Sequence, residues 1–335
     1  MLVQQTKVVD ILKNLFVPGL KKLLLSAGSI SEMKIDEGSV YINLSLPEIP
    51  DEDAIRLKEI ITKKVEEIGA QSVLVELVFR KKQEIKYIIA VASGKGGVGK
   101  STVSTNLAIA LAQLGKKVGL MDADIHGPNI PMMFGINERP MVNSEKRIIP
   151  IEKYGVKIMS VGFLLDNSST PVIWRGPLVT KIIEQFYNDV EWGVLDFLII
   201  DLPPGTGDAA LTIAQSLPTK YGIIVTTPQD VSILDASKAL SMFKRTNIEV
   251  LGIVENMSYF ICPTSGEKFE IFGSGGGEKL MSEYGVKLLG KVPIEPKVSK
   301  GGDVGIPAIL MREETETQKI FTSIAKEVLE NLERS

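Results

Sequence analysis

The sequence predicts an α/β protein whose mostly parallel sheet is covered by helices on both faces, with a small α+β domain ahead of it. Three observations carry that reading. From residue 87 on, apolar runs alternate with helical segments: YIIAVAS, KVGLMDAD, VLDFLIID, YGIIVTTP, VLGIVEN and KLLGKVP each read as a strand buried on both faces. Between the first two runs lies GKGGVGKS, a glycine-rich loop at a strand-to-helix junction. The first 80 residues lack this alternation and read as a separate unit. At 335 residues the chain has room for one large domain and an appendage.

In the first unit, Val8, Ile11, Leu12 and Leu15 recur at helical spacing until Pro18-Gly19 interrupts them. ISEMKI and SVYINLSL read as two strands joined by the turn Asp36-Glu37-Gly38. A helix is expected over 52–68, with Asp51 as its cap, and SVLVELVF (72–79) reads as a third strand. The charged stretch RKKQEIK (80–86) reads as a solvated connector. The division expected is therefore an accessory domain at 1–80, a linker at 81–86 and the large domain at 87–335.

In the large domain, Val103, Leu107, Ala110, Leu111 and Leu114 mark one face of a helix over 101–114. Ile320, Phe321, Ile324, Val328 and Leu332 do the same over 314–333. That last helix is not enriched in Lys and Arg, so it is expected to pack on the sheet rather than lie on a membrane.

Composition excludes several classes. With 38 Lys and Arg against 41 Asp and Glu, the net charge is −3, so no global field draws the chain to nucleic acid or an anionic membrane. No apolar stretch reaches the roughly 18 residues a membrane span needs. The opening residues lack a basic segment followed by an apolar core, so no secretory signal is expected. A single cysteine, Cys262, and a single histidine, His126, allow no intrachain disulfide, and no Cys/His zinc site or nucleophilic pair except with each other. A cytoplasmic protein is expected.

GKGGVGKS (Gly94 to Ser101) fits G-x-x-x-x-G-K-[ST], and its context, apolar strand before and amphipathic helix after, is that of a phosphate loop. Gly96, Gly97 and Gly99 let the backbone wrap a polyphosphate, and the helix start adds its positive dipole end. Lys100 is expected on the β- and γ-phosphates and the Ser101 hydroxyl on Mg²⁺. ATP and Mg²⁺ are thus the expected ligands, bound along Gly94, Lys95, Gly96, Gly97, Val98, Gly99, Lys100, Ser101 and Thr102. Asp122, Asp124 and Asp201 end apolar strands, which in a parallel sheet converge beside that loop. Asp201 follows FLII in the Walker B pattern and is assigned to Mg²⁺.

The second lysine narrows the class. KGGVGKS, with Lys95, resembles the deviant Walker A signature of the family that includes MinD, ParA and the nitrogenase iron protein. The resemblance implies a homodimer in which Lys95 reaches the partner's nucleotide, Asp124 orients the attacking water and Asp122 shapes a first switch. It also implies a second switch in LPPGTGD, with Pro204 and with Gly205 sensing the γ-phosphate.

DADIHGPNIP, WRGPL, DLPPGTGD, TTPQDVSILDA and GIVENMSYFICP, continued by FGSGGGEKL and GKVPIEP, look like the Mrp/ApbC branch over nearly all of 87–335. That branch consists of ATPases that bind and hand on iron–sulfur clusters. The likeness implies slow basal hydrolysis, Asn256 and Pro293 to Glu295 flanking the adenine, and apo iron–sulfur clients or scaffold proteins as partners. It implies neither nucleic acid nor membrane. The family places C-x-x-C after the ENMS segment, so that two protomers bridge one labile cluster, but here the matching positions are Cys262 and Ser265. Serine oxygen is a poor substitute for thiolate at iron. The small N-terminal unit resembles the family's accessory domain in divergent form, with Gly19 after Pro18 and no cysteine in PEIPDED.

Two other readings stand beside this one: a nucleotide-switched scaffold without a cluster, which Ser265 suggests, and a positioning ATPase of the ParA/MinD kind. The second calls for a basic surface or cationic tail, which the sequence does not clearly offer. FGSGGGEKL reads as a loop capping a helix rather than a second phosphate loop, because it has no lysine–hydroxyl pair. His126 is not expected to act as a base, and in WRGPL only Arg175 is a candidate for function.

Overall fold

The computed structural model describes residues 3–20, 22–80, 84–125, 127–164, 176–312 and 315–334. His126, Trp174 and Arg175 lie outside the described residues. The chain forms two compact units, Met1–Gln83 and Glu84–Ser335.

In the first unit α1 (Gln5–Lys13) leads into a two-stranded ribbon, β1 (Phe16–Val17) and β2 (Lys22–Leu23), and a single turn of helix, α2 (Leu24–Ala27). Then come β3 (Ser29–Asp36), β4 (Ser39–Pro47), α3 (Asp51–Glu66) and β5 (Ser72–Arg80). β3 and β4 form a hairpin, and α3 carries the chain back so that β5 runs parallel to β4. Alternation along β4 puts Val40, Ile42, Leu44 and Leu46 on the inner face, against Leu57, Ile61 and Val65 of α3. Asp51 does not cap that helix. Pro50 holds the N-cap position, and Asp51, Glu52 and Asp53 fill the first turn, where their charge complements the helix dipole.

The second unit opens with β6 (Glu84–Ser93), three residues before the expected domain start. Glu84 and Ile85 pair with Val194 and Leu195, so the charged end of the expected linker is already strand. There follow α4 (Lys100–Gln113), β7 (Val118–Asp122), α5 (Ile130–Met133), β8 (Ile151–Lys153), β9 (Val156–Ser160), α6 (Gly176–Asn188) and β10 (Val194–Asp201). The chain continues through α7 (Asp208–Ser216), β11 (Tyr221–Thr226), α8 (Asp230–Arg245), β12 (Glu249–Glu255) and a small hairpin, β13 (Phe260–Ile261) and β14 (Lys268–Phe269). It ends with α9 (Gly276–Tyr284), β15 (Leu288–Lys291), α10 (Pro296–Asp303) and α11 (Glu316–Glu333).

The sheet order is β15-β12-β11-β6-β10-β7-β9-β8, parallel throughout except for β8 against β9. Helices flank it on both faces, with α4 packed against α11 and α8 against α9. The central strands β6, β10 and β11 are the most apolar because both their faces are covered. α11 begins with a reciprocal capping box between Thr315 and Gln318. β8 and β9 are additions to the expected set: IEK is short, and Lys157 breaks the apolar run of VKIMS, so neither carries a strong strand signal. Register then brings three strand ends into line, Asp201 beside Asp122 and Asp122 beside Ser160.

Candidate nucleotide site and the cysteine hairpin

The glycine-rich loop joins β6 at the centre of the sheet to α4. Gly97 and Gly99 have φ of +80° and +83°, the left-handed region that costs other residues strain. Gly94 is fixed by crowding instead, since a Cβ there would run into the backbone of Asp235 on α8. The N-cap of α4 is Gly99, and no side chain caps the helix, which leaves its first amides available to an anion.

Lys100 is 5 % exposed and turns into the strand ends. Its Nζ lies 2.9 Å from Asp201 Oδ2 and 3.6 Å from Asp124 Oδ2. Burial pulls its pKa down, but Asp201 and Asp124 outweigh that and hold it above the ordinary lysine value. Ser101 donates to Asp201 Oδ2 at 2.6 Å, and Ser104, one turn later, donates to Oδ1 at 2.7 Å. Asp124 Oδ1 accepts the Gly127 amide at 3.3 Å. Asp122, fully buried, has its carboxyl pushed up to about 7 by desolvation and by the charge of Asp201, against the opposing pull of Ser160, Lys100 and the Asp124 amide.

Three buried carboxylates thus surround one ammonium. That surplus of negative charge, with a hydroxyl and a carboxylate already touching at Ser101 and Asp201, fits a hard divalent cation such as Mg²⁺.

The cleft beside the loop has a volume of about 960 Å³ and is lined by Lys95 to Thr102, Asp124, Pro204, Asn256 and Pro293 to Glu295. The structure therefore brings the loop, Asp124, Asn256 and the segment Pro293 to Glu295 to one cavity. Asn256 donates to the Val98 carbonyl at 2.8 Å, and a Cβ on Gly99 would collide with its amide. Glu295 reaches away to α11, where it accepts the amide of Thr317 at 3.0 Å and its hydroxyl at 3.1 Å. The Gly205 amide, which the resemblance aims at a γ-phosphate, is bonded here to the Ser93 carbonyl at 3.0 Å. The Lys95 side chain is partly exposed and has no ion pair or hydrogen bond among the described residues. Sequence reasoning missed Ser104 and Ser160, and also the apolar wall of Met132, Met133, Phe272 and Phe321. Ser104 could have been found from its helical spacing to Ser101, whereas Ser160 and the apolar wall come from elements too far apart in the chain for any local pattern to link them.

FGSGGGEKL leads into α9 through Gly275 in the left-handed region. The start of that helix is already held by a carboxylate: Glu255 Oε2 takes the Gly277 amide at 2.5 Å, and Oε1 takes the Ser258 hydroxyl at 2.7 Å. Cys262 lies in the turn between β13 and β14, partly exposed, with its Sγ 3.2 Å from Thr264 Oγ1. Hydrogen bonding by Ser265 and Thr264 lowers its thiol pKa to about 6. Ser265 is exposed, and its Oγ accepts the Glu267 amide at 3.3 Å.

A family model described as NUBPL iron-transfer P-loop NTPase, of the ParA group, matches residues 84–329. The chain belongs to this family. An iron–sulfur cluster carrier protein of Aquifex aeolicus is 53% identical over 72% of this chain and 67% of its own length. One from Synechocystis is 44% identical over 96% of both chains, so the likeness extends through the small N-terminal unit. Among solved structures, a nucleotide-binding protein from Archaeoglobus fulgidus in complex with ADP shares 41% identity, with a TM-score of 0.62 over 71% of this chain and 92% of that one. Among the described residues of this iron-transfer NTPase, no helix is long and apolar enough to cross a membrane.

Proposed function

We propose that this protein is a Mg²⁺-dependent ATPase that carries iron–sulfur clusters to apo client proteins, switched between open and closed homodimers by its nucleotide. The observation that carries the reading is the convergence of Lys100 and Ser101 on Asp201 at the uncapped head of α4. When a triphosphate enters, Lys100 exchanges the carboxylates for phosphate oxygens, and the amides of the loop and first helical turn take the rest of the charge. Mg²⁺, held by Ser101 and by Asp201 directly or through water, would neutralise charge on the β- and γ-phosphates. Asp124, which lines the cleft, orients the attacking water. Lys95, with no partner among the described residues, serves the nucleotide of a second protomer, so hydrolysis by a lone chain is slow.

Asn256 and the segment Pro293 to Glu295 flank the base. Asp122, Pro204 and Gly205 form the switches: the amide of Gly205 must leave the Ser93 carbonyl to reach a γ-phosphate, which moves the LPPGTGD loop. The division of labour in the chain follows the expected domains, with an accessory unit at 1–80 ahead of the ATPase. The cargo is met by Cys262. A four-iron cluster is normally held by four thiolates, and a dimer of this chain supplies two, so external thiols or the client complete the set and the cluster is held loosely. In this reading the protein works in the cytoplasm with client proteins, not nucleic acid or membrane, as its partners.

One observation favours a second reading, a nucleotide-switched scaffold that carries no cluster: Ser265 stands where a second thiol would serve. Transfer of a reconstituted cluster to an apo iron–sulfur protein, with Mg-ATP against ADP, separates the two. The carrier reading expects a rate that depends on the nucleotide. No transfer under either nucleotide leaves the scaffold.

A further inference from the structure

Ser160 belongs to none of the sequence motifs, yet it ends β9 directly opposite Asp122 in the parallel register. It is fully buried. Its hydroxyl donates to Asp122 Oδ2 at 2.8 Å and accepts the Gly162 amide at 2.9 Å, so the loop beyond β9 fixes the oxygen and its proton points at Asp122. The other oxygen of Asp122 accepts the backbone amide of Asp124 at 3.1 Å. Asp124 then carries the contact on to Lys100 at 3.6 Å. A continuous set of contacts therefore joins Gly162, Ser160, Asp122, Asp124 and Lys100. Of the two acids, Asp124 lines the cleft and Asp122 does not.

Asp122 thus acts on the turn that follows it rather than on the nucleotide. A carboxylate beside a second one, Asp201, is pushed to rotate away unless a donor holds it, and Ser160 is the side-chain hydroxyl that does so. Without that donor, one oxygen of the fully buried Asp122 is left unmatched, and the partly buried Gly162 amide loses its acceptor. Asp122 then turns to find another partner and releases the amide of Asp124.

We propose that Ser160 is a positioning residue for ATP hydrolysis: it fixes the Asp122 carboxylate, which fixes the turn that presents Asp124 to the attacking water. This rests on the reading of Asp124 as the water-orienting acid. A merely structural serine would affect folding or nucleotide affinity, and its effect would not depend on what stands at position 124.

The test is a double-mutant cycle on the full chain, with steady-state ATPase rates and a titration of fluorescent ATP analogue for wild type, Ser160→Ala, Asp124→Asn and the double variant. Ser160→Ala is expected to lower kcat about tenfold, the scale of one hydrogen bond to a charged group, with affinity changed less than about twofold. In the Asp124→Asn background the same change should cost nothing further. Three results overturn the proposal: wild-type kcat in Ser160→Ala, loss of affinity in step with kcat, or a full tenfold loss on top of Asp124→Asn. Wild-type turnover by Asp124→Asn alone would instead remove the reading beneath it. Should Ser160→Ala fail to fold, Ser160→Cys keeps the volume with a much weaker donor and is held to the same expectations.

Discussion

At the head of α4, Lys100 is 5 % exposed and faces Asp201 and Asp124 at 2.9 and 3.6 Å. In the β13–β14 turn, Cys262 is partly exposed, with its Sγ 3.2 Å from the Thr264 hydroxyl. On the proposed function, the two regions differ because their tasks differ. Phosphoryl transfer depends on position, so its groups sit on strand ends locked by register, and a misplaced carboxylate costs rate. A cargo ligand must be reached by another protein and must let go, so it belongs on a short, solvent-facing turn. Ser265 and Thr264 tune that thiol, and no buried network holds it.

The largest effect should separate the two regions outright. Lys100→Ala is expected to weaken ATP binding by at least about 100-fold, because it removes the buried cation aimed at the phosphates. Nucleotide titration measures this, and the alkylation rate of Cys262 should stay at the wild-type value. Unchanged affinity would refute the site, and altered thiol reactivity in the absence of nucleotide would mean that the substitution disturbs the hairpin as well as the loop.

Next in size is the dimer. Asp124→Ala should bind ATP but hydrolyse it on the order of 100-fold more slowly, leaving a closed dimer in sedimentation at saturating ATP. Adding Lys95→Ala should return that dimer toward monomer, since no lysine then crosses the interface. Monomers with Asp124→Ala alone would contradict the trans-acting role of Lys95.

Much of the first region could be read from the chain and little of the second. Gly94 to Ser101 are consecutive residues whose spacing encodes the loop, and Asp124 and Asp201 follow apolar runs that announce their strands. The contacts that orient them were not legible. Asn256 reaches Val98 across 158 positions, and Ser160 comes to Asp122 only through a strand whose own signal is interrupted by Lys157. Asp51 looked like a cap because its type suits one, but Pro50 already supplies the extended turn into α3. At Cys262 the sequence offers one sulfur and a serine at the two C-x-x-C positions, and the lowered pKa comes from how the turn folds two hydroxyls toward the sulfur.

The smallest effect sharpens that last point. Because the thiolate is the reactive form and the thiol pKa is held at about 6, alkylation of Cys262 should rise with pH and reach half its plateau near pH 6. Thr264→Val removes a stabilising hydroxyl and should move that midpoint upward. An unmoved midpoint, or one at the ordinary thiol value in the unmodified chain, would show that the turn does not activate the sulfur.

The central claim is that this single exposed cysteine is where the cargo is met, and metal analysis after reconstitution tests it most directly. The full chain, Cys262→Ala and Ser265→Cys are each loaded with iron and sulfide without oxygen, desalted, and assayed for both elements. The unmodified chain should keep little cluster, Ser265→Cys should keep a brown, oxygen-sensitive one, and Cys262→Ala should keep none. A stable, stoichiometric cluster in Cys262→Ala would contradict the account.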